Sequence, residues 1–265
     1  MEIPAISEPE TDHPSPVGGS GMALLRAGCR ALGMPLSDLQ VEQFELYFRH
    51  LVEWNERFNL TAITGYEEVQ TKRFLSTISG WPVIVQELGL STPLTRPLHL
   101  VDVGTGAGFP GIPLKIMAPR LKLTLMDGTG KKVSFLQQLS VVLELNNVEV
   151  VQARAEEMGQ QTRFRGQFDL VTARAVAPLN ILVEYLLPLV RRDGYAVIYK
   201  GPSAAQEFVE ARKAIELLGG ETTRMAPVTV PLLEEKRFIL LIRKTKPTPA
   251  LYPRGQGLAR KKPLA

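Results

Sequence analysis

An acid placed directly before a glycine-rich turn is the feature of this sequence most able to do chemistry. Leu98-His99-Leu100-Val101-Asp102-Val103 reads as a buried strand, and Gly104-Thr105-Gly106-Ala107-Gly108-Phe109-Pro110-Gly111 follows it. Four glycines in eight residues remove side chains where the backbone must turn sharply or let something approach closely. Pro110 suits the start of a helix, and Ile112, Leu114 and Ile116 continue one. Strand, glycine turn and helix N-terminus together predict a nucleotide-cofactor pocket. Gly106, Gly108 and Gly111 satisfy the dinucleotide spacing, while Gly104, Gly106 and Gly108 satisfy the looser pattern of S-adenosylmethionine sites. Asp102 favours the second, because a carboxylate repels a pyrophosphate and attracts an ammonium and a sulfonium. A second acid, Asp127, ends the alternating strand Leu121-Lys122-Leu123-Thr124-Leu125-Met126. It lies where such folds place the carboxylate that accepts hydrogen bonds from ribose hydroxyls. It could equally cap the helix that follows, and the two roles are compatible.

The elements needed to position these residues can be read along the chain. Residues 1–21 carry Glu2, Glu8, Glu10 and Asp12, no Lys or Arg, and many Pro, Ser and Gly, which predicts a disordered tail. Residues 22–97 read as helical: Met22 to Leu32, then a longer helix capped by Ser37 or Asp38, then Glu67 to Leu88 with a break near Gly80 and Pro82. Phe44, Tyr47, Phe48, Leu51 and Phe58 lie at helical spacing and are expected in the core. Residues 98–244 alternate strand and helix, with strands at Val148–Gln152, Phe168–Ala173 and Gly194–Lys200 and a closing hairpin, Thr222–Val230 with Lys236–Ile242. This predicts an α/β fold: a mostly parallel, seven-stranded Rossmann-like sheet with helices on both faces and an N-terminal helical extension. In such sheets ligands bind at the carboxyl ends of the strands, which gathers 104–109, 127–129, 153–157, 173–177 and 200–201 around one crevice.

Bulk properties narrow the function. No apolar run reaches the length of a membrane span, and the acidic start resembles no signal or transit peptide. A single cysteine, Cys29, excludes internal disulfides and fits a reducing, cytoplasmic setting. His13, His50 and His99 have no metal-ligand spacing, so no metal is expected. The net charge of +4 is uneven: residues 243–265 hold seven bases and no acid. Residues 245–265 therefore read as a basic, disordered tail suited to nucleic acid, or simply to solubility.

If the cofactor is S-adenosylmethionine, the loop after the fourth strand constrains the methylated atom. It reads Arg174-Ala175-Val176-Ala177-Pro178, without the side-chain acceptors that hold an exocyclic amine. Cys29 lies in an N-terminal helix, poorly placed to act as the nucleophile that ring-carbon methylation requires. An atom with an exposed lone pair, such as guanine N7, needs no general base, and alignment can carry the catalysis. No catalytic side chain is therefore assigned.

Several segments together resemble the RsmG family, also called glucose-inhibited division protein B. They are Trp54-Asn55-Glu56-Arg57-Phe58-Asn59-Leu60-Thr61-Ala62-Ile63-Thr64, the run Val101 to Leu114, and Gly130-Lys131-Lys132-Val133-Ser134-Phe135-Leu136. Tyr252-Pro253-Arg254 and Lys261-Lys262-Pro263-Leu264 resemble one branch of it. The resemblance implies a class I Rossmann-like, S-adenosylmethionine-dependent methyltransferase of bacterial cytoplasm. It would place a methyl on N7 of one guanine in the decoding-region loop of 16S ribosomal RNA. Its partner would be 16S RNA or a precursor of the small subunit, and it would work as a monomer, away from membranes. By position it implies cofactor contacts at Gly104 and Phe109, at Ala155 and Glu156, at Arg174, and in that branch at Asp127, Gly128 and Thr129. Asp102 and Gly106 join them from the reading of the turn. For Glu156 the plainer role is a helix-start acid, and for Arg174 a salt bridge to a carboxylate. Arg73, Lys131, Lys132 and Lys200 are candidates for RNA contact, although lysines on helix faces are commonly just solvated. Gly128 stands where the family often has Ser, Arg73 where it often has His, and Ser76-Thr77 where it often has Asp-Ser. An NAD-dependent oxidoreductase and a non-catalytic RNA-binding module on the same fold are the competing expectations.

Overall fold

The computed structural model describes residues 21–264. The tail expected at 1–21 lies outside the described residues except for its last glycine. Strands β1 (His99–Val103), β2 (Lys122–Asp127), β3 (Val148–Gln152), β4 (Phe168–Arg174), β5 (Val190–Lys200), β6 (Gly220–Val228) and β7 (Arg237–Lys244) form one sheet in the order β3-β2-β1-β4-β5-β7-β6. The first five pair in parallel, and β7 runs antiparallel to both β5 and β6. The expected hairpin is present, but its second strand inserts inside its first, so the edge strand β6 runs the same way as β1–β5.

Alternation along the strands divides the core in two. Leu100, Leu170, Val197, Tyr199, Ile239 and Leu241 pack on one face; Val101, Val103, Val171, Ala173, Ile198 and Ile242 pack on the other. Both faces are buried, which accounts for the almost continuous apolar runs of β4 and β7. The first face is covered by α1 (Ala23–Ala31), α2 (Asp38–Phe58), α5 (Trp81–Leu88), α6 (Gly111–Met117) and α7 (Gly130–Val142). The second is covered by α8 (Ala155–Gln160), α9 (Leu179–Leu186), α10 (Ala204–Leu217) and α11 (Leu258–Lys261). Ser37 caps α2 in a reciprocal box with Gln40. Residues of α1 and α2 share one hydrophobic cluster with the sheet, so the boundary expected at 97/98 marks no gap in packing.

Between α2 and α5 the chain forms α3 (Tyr66–Glu68), a π-helical stretch (Val69–Leu75) and α4 (Ser76–Ile78). The helix expected here is therefore present, breaks at Ser79-Gly80 as the sequence suggests, and contains a wide turn that the periodicity does not reveal.

The expectation of a free basic tail at 245–265 is corrected. The segment runs as an ordered strap over α8 and α9. Arg165 donates to the carbonyls of Thr248, Pro249 and Tyr252, and Gln160 donates to that of Pro253. The Arg254 backbone N–H and Nε reach Glu184 Oε1 at 2.8 and 2.9 Å, and Nη2 reaches Oε2 at 2.6 Å. The Glu184 side chain is 0% exposed. Lys244 is buried and donates to Leu187 O and Leu218 O, and burial pushes its ammonium down to about 7. Charges that looked free in the sequence are thus partly internal staples.

Candidate active site

The glycine turn crosses the carboxyl ends of β1 and β2. Gly104, Gly106 and Gly108 all have positive φ, at 67°, 63° and 97°. The turn is pinned from beneath by Met126 O, which accepts from Gly104 N and Thr105 N, and from the side by Asp127. Asp127 Oδ2 accepts from Gly106 N at 3.0 Å and Oδ1 from Thr129 N at 2.9 Å. Its carboxylate thus joins the turn to the residue before α7 without capping that helix, whose N-cap is Thr129, so the expected capping role is corrected; each oxygen retains a second lone pair. Lys132 Nζ stands 3.6 Å from Asp127 Oδ2.

The three turn glycines serve different ends. A Cβ on Gly108 would meet Tyr47 Oη at 2.6 Å and Ile112 Cδ1 at 2.7 Å, and one on Gly104 would meet Val176 at 3.0 Å. A Cβ on Gly106 would meet nothing within 4 Å. Protein packing therefore requires Gly108, whereas Gly106 borders open space, as expected of backbone that a ligand approaches. Tyr47, from α2, donates its hydroxyl to Ala107 O, and its ring stacks on Phe109 at 5.3 Å. Sequence reasoning placed Tyr47 in the core but missed that it clamps the turn; the 60 residues between the partners leave no local signal.

Asp102 does not line the crevice. It is 0% exposed beneath the turn, where Oδ2 accepts from Gly111 N at 2.8 Å and Thr105 Oγ1 at 2.6 Å. Burial pushes its carboxyl up to about 7. The geometry gives it the job of closing the turn onto α6, so the expectation of direct attraction to a cationic ligand is corrected.

Arg174, at the end of β4, is also not where the sequence suggests. Among the described residues it forms no salt bridge to a carboxylate. Nη2 donates to Lys72 O at 2.7 Å, and Nη1 to Thr77 Oγ1 at 3.0 Å and Arg73 O at 3.4 Å. The wide π turn lets the Lys72 carbonyl accept from an outside donor; the Arg73 carbonyl also accepts from Thr77 Oγ1 at 2.7 Å. Burial, then the neighbouring charges of Arg73 and Arg237, lower Arg174 to about 10. Arg174 is a strut between the sheet and the N-terminal helices. Arg73 itself lies over the Phe109 ring at 5.8 Å and donates to Thr61 Oγ1.

Glu156 opens α8 beside Ala155, half a crevice away, and its Oε1 accepts from Gly257 N of the C-terminal strap at 3.1 Å. Arg260 of the same strap donates to Val176 O. Gly128 is exposed at the crevice rim and Thr129 half-buried. Of the lysines proposed for RNA, Lys200 is committed inside the protein, to Glu207 Oε2 at 2.6 Å and Ala177 O at 3.0 Å. Lys132 faces Asp127, and Lys131 lies 5.9 Å from the Phe58 ring centroid while remaining exposed. Cys29 is buried, and burial pushes its thiol up to about 12, as an inert packing residue requires. Among the described residues no cluster of His, Cys, Asp or Glu could hold a metal, and no helix is long and apolar enough to cross a membrane.

A sheet of this order, with an acid at the end of β2 hydrogen-bonded to a left-handed glycine turn, can bind a nucleoside-containing cofactor. Comparison with known proteins decides which. Residues 40–237 match the GidB family, described as rRNA small subunit methyltransferase G. The chain belongs to the GidB family. The Ribosomal RNA small subunit methyltransferase G of Alkaliphilus metalliredigens is 46% identical over 91% of this chain and 98% of that protein. Its counterpart from Lactobacillus helveticus is 47% identical over 86% of this chain and 93% of that protein. Among solved structures, an MtNAS mutant shares the fold at a TM-score of 0.51 and 13% identity, over 85% of this chain and 76% of that one.

GidB membership makes this a methyltransferase with S-adenosylmethionine as its cofactor, and the oxidoreductase and non-catalytic readings fall. The residues on the crevice fit that cofactor. Gly106 leaves space for it, and Asp127 keeps acceptor capacity for a ribose. The GidB signature around Trp54 to Thr64 also acquires a purpose: Asn55 Oδ1 accepts from Thr61 N, and Thr61 in turn holds Arg73 over the turn.

Proposed function

We propose that this enzyme methylates N7 of a single guanine in the decoding-region loop of 16S ribosomal RNA, working as a monomer in the bacterial cytoplasm. The observation that carries the atom is the loop after β4. Arg174 is turned away into the π-helical stretch, and Ala175, Val176 and Ala177 offer no side-chain acceptor for an exocyclic amine. A guanine N7 needs none, since its lone pair is already free.

Bound S-adenosylmethionine supplies the electrophilic methyl group. The protein's part is alignment and desolvation, which can contribute several powers of ten in rate. Gly104, Gly106 and Phe109 shape the turn against the cofactor, and Asp127, Gly128 and Thr129 take its ribose. Ala155 and Glu156 flank the adenine, with Glu156 oriented by the Gly257 N–H. Arg174 acts at one remove, holding the β4 loop against the N-terminal helices. Lys131, exposed at the rim, is free to meet RNA phosphate.

The decisive assay is transfer of labelled methyl to 16S RNA from cells lacking the modification, with the product nucleoside mapped. N7-methylguanosine at one site is expected; label on any other atom would refute the reading. Asp127→Ala is expected to weaken S-adenosylmethionine binding by roughly one to two decades, because hydrogen bonds to a charged group contribute about 1.5–3 kcal/mol. Calorimetry returning wild-type affinity would remove Asp127 from the cofactor site.

A further inference from the structure

A second compartment of the crevice lies on the far side of Arg174 from the glycine turn. It has a volume of about 240 Å³ and is lined by Arg174, Ala175, Tyr199, Lys200, Gly201 and Arg237, among others. It exists because β7 is antiparallel. Strands β4 and β5 end here, at Arg174 and Lys200, while β7 begins here, with Phe238 opposite Lys200 and Ile239 opposite Tyr199. The reversal delivers Arg237, the first residue of a strand, to the face where the other strands finish.

The charge balance of this compartment is unequal. Lys200 is neutralised by Glu207, whose Oε2 also accepts from Leu179 N. Arg237 pairs only outward, with Glu235, itself 57% exposed and so a weak partner in water. The Arg237 Nε is buried and has no hydrogen-bond partner, and the same is true of Arg73 Nε nearby. Arg174 bonds to two carbonyls and a hydroxyl, none of them charged. Three guanidinium groups therefore converge, and Arg73 and Arg237 both depress the pKa of Arg174. The carboxylates near them are Glu207, already engaged by Lys200, and Asp102, buried beneath the glycine turn; among the described residues neither forms a salt bridge to any of the three. Buried charges ordinarily come paired, and an unfilled buried donor costs free energy. Tyr199 forms an inert wall: its hydroxyl already reaches Thr77 O at 3.2 Å.

We propose that this compartment seats a phosphodiester group of the RNA strand, with Arg237 as its principal ligand. The planar guanidinium fork matches two phosphate oxygens, and Arg237 Nε is a donor left over for one of them. The pocket is below the size usual for a drug-sized ligand, roughly 300 Å³ and upward, and suits a backbone phosphate with part of its sugar. In the strand order this compartment and the glycine turn lie on opposite sides of the β4 loop, so a phosphate held here would anchor the RNA strand beside the cofactor crevice and outside it. The inference rests on the RNA-methylating reading above and adds to it the group that fixes the register of the strand.

The test compares Arg237→Gln and Arg237→Lys with the wild type on ribosomal RNA. In Arg237→Gln the RNA KM is expected to rise about tenfold, and the slope of log affinity against log salt to shrink by about 1, the signature of one lost phosphate contact. S-adenosylmethionine affinity should be unchanged, which also certifies the fold. Arg237→Lys should keep the salt slope while losing part of the affinity, since it retains the charge and loses the fork. An unchanged slope, or equal losses toward RNA and S-adenosylmethionine, would overturn the assignment. So would orthophosphate that raises the melting temperature through Arg237 while RNA binding ignores the substitution; the site would then be one for free anions. Should the wild type methylate no RNA at all, the enzymatic reading fails first, and the two failures are told apart.

Discussion

Arg254→Ala is expected to lower stability by about 3–5 kcal/mol, because it strands a fully buried carboxylate. Glu184 is 0% exposed, and Arg254 supplies four hydrogen bonds to it, at 2.8, 2.9, 3.2 and 2.6 Å. The backbone N–H survives the substitution; the guanidinium does not. At roughly 2–4 °C per kcal/mol for a chain near this size, the melting temperature should fall by about 10 °C. Adding Glu184→Gln removes the stranded charge and should recover part of the loss, since breaking a buried pair costs more than replacing both partners. A single variant that melts within about 2 °C of the wild type would show the pair to be solvated, in line with a surface ion pair of about 0–1 kcal/mol.

A contrast between two turn glycines is expected to separate stability from binding. Gly108→Ala combines a φ of 97° with a Cβ 2.6 Å from Tyr47 Oη and 2.7 Å from Ile112. Backbone strain and overpacking each cost about 1–3 kcal/mol, so the fold should lose about 2–6 kcal/mol and the clamp of Tyr47 on Ala107 should slip. Gly106→Ala carries a φ of 63° and a Cβ facing open space. Its strain is about 1–2 kcal/mol, but its methyl enters the crevice. Stability should fall by no more than that strain, about 1–2 kcal/mol, and S-adenosylmethionine affinity should drop at least tenfold, about 1.4 kcal/mol. Melting curves and calorimetry on both variants check this; equal behaviour would mean that Gly106 borders nothing.

The glycine turn and the acid that pins it were legible because their signals are local. Strand, glycine turn and helix are contiguous from Leu98 to Met117, and Asp127 ends the next strand, so a short window contains both the residues and the elements that aim them. Asp102 was legible as important and misread in role: spacing reveals that an acid precedes the turn, not that Gly111 N and Thr105 close over it. The strap was illegible. Seven bases without an acid look solvated until folding brings Glu184, 70 residues away, against Arg254. Arg237 was missed for a topological reason: strand periodicity gives β6 and β7 but not which lies inside. Helix α8 is only six residues long and contains Gly159, too short and too broken for a periodic signal.

The strap also bears on how the enzyme meets proteases. Trypsin cuts after Arg and Lys only where some residues of chain can stretch into its cleft. Arg254 is folded onto Glu184 and Lys244 is sealed under Leu187 and Leu218, so the chain should resist cutting after these two residues in the native enzyme, while the exposed Arg260 and Lys261 stay open to attack. Resistance to digestion after Arg254 would report that the strap is seated on Glu184 and Glu156.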